Sequence, residues 1–251
     1  MSVTIVSCFY VIKSKFPCDK YLEWTDNFMK LKFNRVVFCD TNSFNILNTK
    51  YNDKNTIYKI LEFSDFYTSN YNWDYDYDID IEKVKGHTIE LYKIWNEKIH
   101  FINRVIDENP FKSEYFMWLD IGCFRNKNVL NDFLSFPSYN AFIPNKIIIP
   151  LIYKYDDDIK KNINDVDCRF QHKNYIGGLF SGDIQSLRKF KNKHIEMLEI
   201  FKKNKIFAGK DQSIYNFIVL QNTHLFHLLN AHDVHPNYDP WFCFHYYFCN
   251  K

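Results

Sequence analysis

Carboxylates at a regular spacing are the first chemistry this sequence offers. In "NWDYDYDID", Asn72 to Asp80, the residues Asp74, Asp76, Asp78 and Asp80 stand at every second position and form overlapping Asp-x-Asp triplets. Hard carboxylate oxygens of this kind can hold a Mg²⁺ or Mn²⁺ ion. On a strand, residues two apart share a face, so the four carboxylates would line up with the tyrosines opposite. Such a row repels itself unless a cation or basic partners neutralise it. The segment lacks the apolar run that would bury it in a sheet. It therefore reads as an exposed edge or loop whose charge prevents sheet-to-sheet association.

Two other aspartates close apolar runs. Asp40 ends "RVVFCD" and Asp120 ends "YFMWLD". A buried strand running into Asp projects a carboxylate beyond the strand's carboxyl end, where open α/β sheets bind ligands. There it can reach a ribose hydroxyl, a base edge or a metal; capping the next turn is the structural alternative for either residue. Further along, Gly177, Gly178 and Gly182 punctuate "YIGGLFSGD", and Asp211 opens "DQSIYNFIVLQN". A carboxylate at a helix start is stabilised by the helix dipole.

The elements that must position these groups follow from periodicity. Val3 to Ile12 reads as a strand buried on both faces. Asp19 to Leu31 has helical spacing with Asp19 as a candidate cap, and "RVVFCD" is the next strand. Strand, helix and strand ending in a carboxylate open a doubly wound α/β domain. Thr41 to Glu82 is polar and irregular, with a short helix expected near Ile57 to Phe63. Thr88 to Asp107 carries the strongest helical pattern, ended by Pro110. "YFMWLDIG" is a buried strand, and "AFIP" and "KIIIP" are two more. Cys168 to Asp183 is a strand–turn region, Ile184 to Lys203 an amphipathic helix, and "GKDQSIYNFIVLQN" the start of another.

Composition narrows the function classes. The 251 residues, 46% hydrophobic and 25% charged, suit one sizeable domain with a real core. A net charge of +2, from 32 basic and 30 acidic residues without a basic stripe, argues against a nucleic-acid surface. The seven cysteines include no C-x-x-C pair, so neither a zinc ribbon nor a disulfide framework is indicated, and reduced thiols fit a cytosol-like compartment. "MSVTIVSCFYVIKSKF" has no basic n-region or small-residue cleavage site, which argues against a signal peptide. Pro144, Asn145, Lys146 and Pro150 break "AFIPNKIIIPLIY", so it cannot span a bilayer. The expectation is a soluble cytoplasmic protein, or one of the host cytoplasm if the source is viral. The 19% aromatic content with abundant Asn, Lys, Ile and Tyr and only 6 Gly reads as AT-rich coding.

Several motifs, in order, carry a resemblance. "YFMWLDIGCFR" is similar to the aromatic–Leu–Asp–x–Asp strand end of GT-A fold glycosyltransferases. "TIVSCFY", "YLEW", "VVFCD", "IWNEK" at Ile94 to Lys98 and "WLDIGCFR" at Trp118 to Arg125 resemble, in that order, the HtrL/YibB-like group. "YIGGLFSGD" and "DQSIYNF" look like the glycine turn and the Asp-[Glu/Gln] helix start of several GT-A families. The resemblance implies a single α/β domain over residues 1–251, GT-A and Rossmann-like, with a central mixed, mainly parallel sheet flanked by helices. Residues 1–125 would be the nucleotide-sugar half and 126–251 the acceptor half. It implies a hexosyl- or N-acetylhexosaminyltransferase that moves a sugar from a nucleotide-sugar donor, most commonly a UDP-sugar, to a hydroxyl on a glycan or protein.

The same resemblance distributes roles. Phe9, Tyr10, Asp40, Trp118, Asp120, Arg125, Gly177 and Gly178 would bind the donor, and Asp211 and Gln212 would be catalytic; core aromatics for Phe9 and Tyr10, a surface ion pair for Arg125, a plain turn for the two glycines and a helix cap for Asp211 are the alternatives. A divalent Mn²⁺ or Mg²⁺ is implied, but the second carboxylate of the motif is replaced by Gly122. Asp120 would then need a C-terminal histidine as co-ligand: His232, His235 or His245, with Mn²⁺ tolerating imidazole. Asp120 is thus the working carboxylate, and the "DYDYDID" series a decoy. Two alternatives stay open: a catalytically inactive nucleotide- or glycan-binding module, and a nucleotidyltransferase-like enzyme. The latter lacks a glycine-rich phosphate loop, since no G-x-G-x-x-G or P-loop pattern occurs.

Overall fold

In the computed structural model, residues 2–155, 175–234 and 239–249 are described. Strand β1, Val3–Cys8, has four consecutive buried residues, as a strand covered on both faces requires. It stops at Cys8 where the sequence suggested Ile12, and residues 9–12 and 14–16 wall the cavity described below. Helix α1, Cys18–Lys30, is entered through Pro17, and Asp19 lies in the first turn without capping it. Strand β2 is Asn34–Cys39. Asp40 caps α2, Thr41–Lys50, by accepting the Ser43 N–H at 2.7 Å. The helix expected near Ile57 to Phe63 is instead the edge strand β3, Thr56–Ile60.

"DYDYDID" forms neither an edge nor a loop. It is a short helix, α3, Asp74–Ile79. Helical spacing turns Asp76 and Asp80 onto one buried face and leaves Asp74 and Asp78 exposed. The long helix α4, Ile89–Glu108, is capped by the Thr88 hydroxyl and closed by Asn109 in the left-handed conformation, φ 40°. Strands β4, Tyr115–Trp118, and β5, Ile147–Leu151, follow. "AFIP" contributes only the end of a 3₁₀ turn, Tyr139–Ala141. Strand β6, Phe180–Asp183, leads into α5, Ile184–Lys203, and α6, Asp211–Gln221, into the unforeseen strand β7, Phe226–Asn230. Cys168 to Asn174 of the expected strand–turn region fall outside the described residues.

The strands form one mixed sheet of seven in the order β3-β2-β1-β4-β6-β5-β7. β3, β2, β1 and β4 are mutually parallel; β6 runs antiparallel between β4 and β5, and β7 is parallel to β5. The sheet is thus mixed and mainly parallel, with flanking helices, as the sequence suggested. Chain order reverses direction between β1 and β4, the switch point where crossovers part and leave a crevice beyond the strand ends. α4 packs on β1 and β4 and also against α5 and α6. Among the described residues, no helix is long and apolar enough to cross a membrane.

Candidate active site

Beyond the carboxyl ends of β1 and β4 lies a cavity of about 330 Å³. One wall is the segment after β1, including Phe9, Tyr10 and Lys15. Leu91, Ile94, Trp95 and Lys98 of α4 line it too, with the turn Asp120–Cys123, Arg125 and Phe242. The helical period explains why α4 supplies residues three and four apart to it.

Asp120 sits where the parallel ladder ends: the Leu119 N–H still bonds the Val6 carbonyl at 3.1 Å, and then the chain turns. Its Oδ1 accepts the Trp118 indole N–H at 2.9 Å, and its side chain remains half exposed to the cavity. Trp118 itself is fully buried, so it fixes Asp120 without lining the cavity. The Lys98 ammonium lies 3.3 Å from Asp120 Oδ1 and 3.0 Å from Asp211 Oδ2. A third, longer hydrogen bond reaches the Gly178 carbonyl at 3.4 Å. The side chains of Lys98 and Asp211 are 3% and 4% exposed, so this ion pair is sealed from water on one side and opens to the cavity at Asp120.

The electrostatics of the trio follow from that burial. Desolvation works against the Lys98 charge, but Asp120 and Asp211 outweigh it and hold the ammonium's pKa above its ordinary value. Burial pushes the Asp211 carboxyl upward; Lys98 and the Gln212 N–H, which it accepts at 2.9 Å, pull the other way. Gly178 is a close-approach position: a Cβ there would stand 2.8 Å from the Lys98 nitrogen. At the exposed side, the Arg125 guanidinium stacks between Trp24 at 4.4 Å and Phe242 at 4.7 Å.

The expected site residues therefore divide. Phe9, Tyr10, Asp120 and Arg125 line the cavity, while Asp211 and Gly178 meet it through Lys98. The Tyr10 hydroxyl is occupied by the Leu61 carbonyl, and its ring packs on Phe63 and Phe66, so it offers an apolar surface. Gln212 is half buried beside Asp211. Asp40 caps α2, Gly177 packs on Pro150, and His232 is exposed on the turn Ala231–Val234; none of these three lines the cavity. His245 is fully buried and stacked on Phe124, with Phe133 and Phe136 around it. His235 lies outside the described residues. Lys98 is the residue that sequence reasoning left without a role, although "IWNEK" contained it.

Among the described residues, the donors around Asp120 do not fit a protein-held divalent metal. Asp120 has Oδ1 committed to Trp118 and Lys98. The position two residues on faces the Trp24 ring, where even a Cβ on Gly122 would stand 3.1 Å away. Burial holds the His245 imidazole neutral, with its pKa down at about 3, inside an aromatic cage. Among the described residues, no three His, Cys, Asp or Glu side chains converge as a metal site.

A family model described as "Bacterial protein of unknown function (HtrL_YibB)" matches residues 1–246. Among solved structures, the apo form of mouse xyloside xylosyltransferase 1 is similar, at 13% identity over 92% of this chain and 86% of that one, with a TM-score of 0.48. So is a glycosyltransferase involved in the glycosylation of the major capsid of PBCV-1, at 13% identity over 92% and 82%, with a TM-score of 0.45. No curated protein matches the sequence.

Proposed function

This chain belongs to the HtrL_YibB family, and we propose that it is a GT-A type glycosyltransferase. It would move a hexosyl or N-acetylhexosaminyl group from a nucleotide sugar, of which UDP-sugars are the first to try, to a hydroxyl of a glycan or protein. One observation carries the reading. Asp120, ending the last strand of the parallel run within the motif Trp-Leu-Asp-x-Gly-x-x-Arg, presents a half-exposed carboxylate to a cavity at the topological switch point.

The cavity's parts suit such a donor. Phe9, Tyr10 and Trp95 give apolar surface for a base, and Arg125 offers a planar fork that matches phosphate oxygens. Transfer breaks the bond between the anomeric carbon and the diphosphate oxygen, whose electron pair leaves with the nucleotide. The acceptor oxygen forms the new bond to that carbon, and its proton passes to solvent water as the nucleoside diphosphate departs. Cationic groups must meet the charge that grows on the leaving group; Arg125 and Lys15 line the cavity for this. Asp120 accepts hydroxyl hydrogens of the sugar, and Asp211 with Gln212 fixes its far side through Lys98.

The test is donor turnover. Purified protein is incubated with UDP-, GDP- and CMP-sugars, and released nucleotide is measured in wild type, Asp120→Ala and Asp211→Asn. The expected result is release from one donor, lowered about 100-fold or more in either variant. Binding of a nucleotide sugar with no release, with or without candidate glycan acceptors, would instead mark a binding module and overturn the enzymatic reading.

A further inference from the structure

Divalent cations in diphosphate sites combine two tasks: they tie carboxylates together, and they neutralise the leaving group. Here the first task is already performed by a side chain. Lys98 bridges Asp120 and Asp211 at 3.3 and 3.0 Å, and its remaining N–H faces the Gly178 carbonyl. It is delivered by the middle of a 20-residue helix that packs on β1, β4, α5 and α6, so its position is fixed by the core. A metal ion entering between the same carboxylates would have to displace a covalently attached cation. The place of a second carboxylate at residue 122 is taken by the Trp24 ring. The second task is open to Arg125 and Lys15, which line the same cavity.

We propose that Lys98 is the resident cation of this site, and that donor binding needs no divalent metal. The proposal rests on the glycosyltransferase reading for the identity of the donor, but the occupancy of the cation position does not. It predicts that the protein has no stoichiometric metal site of its own, and that removing Lys98 creates one.

Two measurements decide it. In the first, Mn²⁺ alone is titrated into wild type and Lys98→Ala, and free Mn²⁺ is followed by electron paramagnetic resonance. Wild type is expected to leave the free-ion signal unchanged. Folded Lys98→Ala, with Asp120 and Asp211 released, is expected to bind one ion. In the second, UDP is titrated calorimetrically into wild type with a chelator and with Mn²⁺, and the two dissociation constants are expected to agree within about twofold. Stoichiometric Mn²⁺ binding by wild type that is lost in Asp120→Asn or His235→Ala would overturn the proposal. So would UDP affinity falling more than about tenfold in chelator, or a folded Lys98→Ala that gains no metal. If Lys98→Ala does not fold, the wild-type measurements decide alone. If UDP and other nucleotides bind under no condition, the donor reading fails while the Mn²⁺ titration still decides the cation.

Discussion

Lys98 keeps its charge with 3% of its side chain exposed because two carboxylates share it. Removing one partner of a buried pair strands the other, which costs more than the pair is worth against a hydrophobic replacement. Lys98→Met should therefore lower stability by about 3–5 kcal/mol by isolating Asp211, read as a shift in the urea midpoint. Lys98→Met with Asp211→Leu should recover most of it. A single-variant loss below about 1 kcal/mol would mean the pair is not buried as described. Gly122→Asp tests the neighbouring position: a carboxylate forced against Trp24 should cost about 1–3 kcal/mol of overpacking and bring no Mn²⁺ affinity. Gain of a tight metal site in that variant would refute the packing argument. At this scale the sequence was half legible. Asp120 stands out because an apolar run ends on it. Lys98 does not, since a lysine in an amphipathic helix looks like a solvated residue until α4 is known to be covered on several sides. Asp40 had the same strand-end signal as Asp120 and turned into a helix cap.

Among the elements, α3 shows how spacing misleads when the period is misjudged. Alternating aspartates suggested a strand or an exposed loop, whereas helical geometry buries Asp76 and Asp80. Asp76 accepts the Ala208 N–H and the Lys202 ammonium, and Asp80 accepts from Tyr92 and contacts His87 Nδ1 at 2.7 Å. Asn96 donates to the carbonyls of Ala208 and Gly209, and Lys210 pairs with Glu82. The aspartate series, read from sequence as a decoy for the metal motif, thus anchors through Asp76 the loop that delivers Asp211 to α6. Asp76→Ala should cost about 1–3 kcal/mol by leaving the buried Ala208 N–H unpaired and taking the carboxylate from Lys202, which keeps the Asn72 carbonyl. It should also speed hydrogen exchange at Ala208 to Gln212 ahead of β1 and β4. Unchanged exchange in that loop would deny α3 the anchoring role. The helix expected at Ile57 to Phe63 failed for a related reason. Short apolar runs do not distinguish helix from strand, and pairing with β2 decides for β3. β7, five residues long, escaped notice for the same cause.

At the scale of the molecule, the architecture was the most legible part, because strand–helix–strand order and buried strands constrain a sheet strongly. What no local pattern could supply was the meeting of Asp120 with Asp211, which needs β6 inserted antiparallel beside β4. The whole fold also sets a pH response. Burial lowers the pKa of His100 well below its ordinary value and those of His194 and His245 from 6.5 to about 3. Their unfolded forms take protons first, so stability is lost as pH falls below about 6.5. Glu97 opposes this: burial outweighs three hydrogen bonds from Tyr67 and Thr68 and raises its pKa from 4.5 to about 7. The folded state holds that proton, so its contribution falls as pH rises through the same window. Three imidazoles outweigh one carboxylate, and unfolding free energy should drop between pH 6.5 and 5, by roughly 1.4 kcal/mol per pH unit for each net proton. His194→Gln should flatten the slope, and stability that is constant or rising on acidification would contradict the burial of these rings.

The most direct test is nucleotide-sugar binding at Asp120. UDP-, GDP- and CMP-sugars are titrated calorimetrically into wild type, Asp120→Ala and Asp74→Ala, the last being an exposed carboxylate of α3. On this reading one nucleotide sugar is preferred, with binding lost in Asp120→Ala and kept in Asp74→Ala. Absence of nucleotide-sugar binding in wild type, or binding untouched by Asp120→Ala, would contradict it.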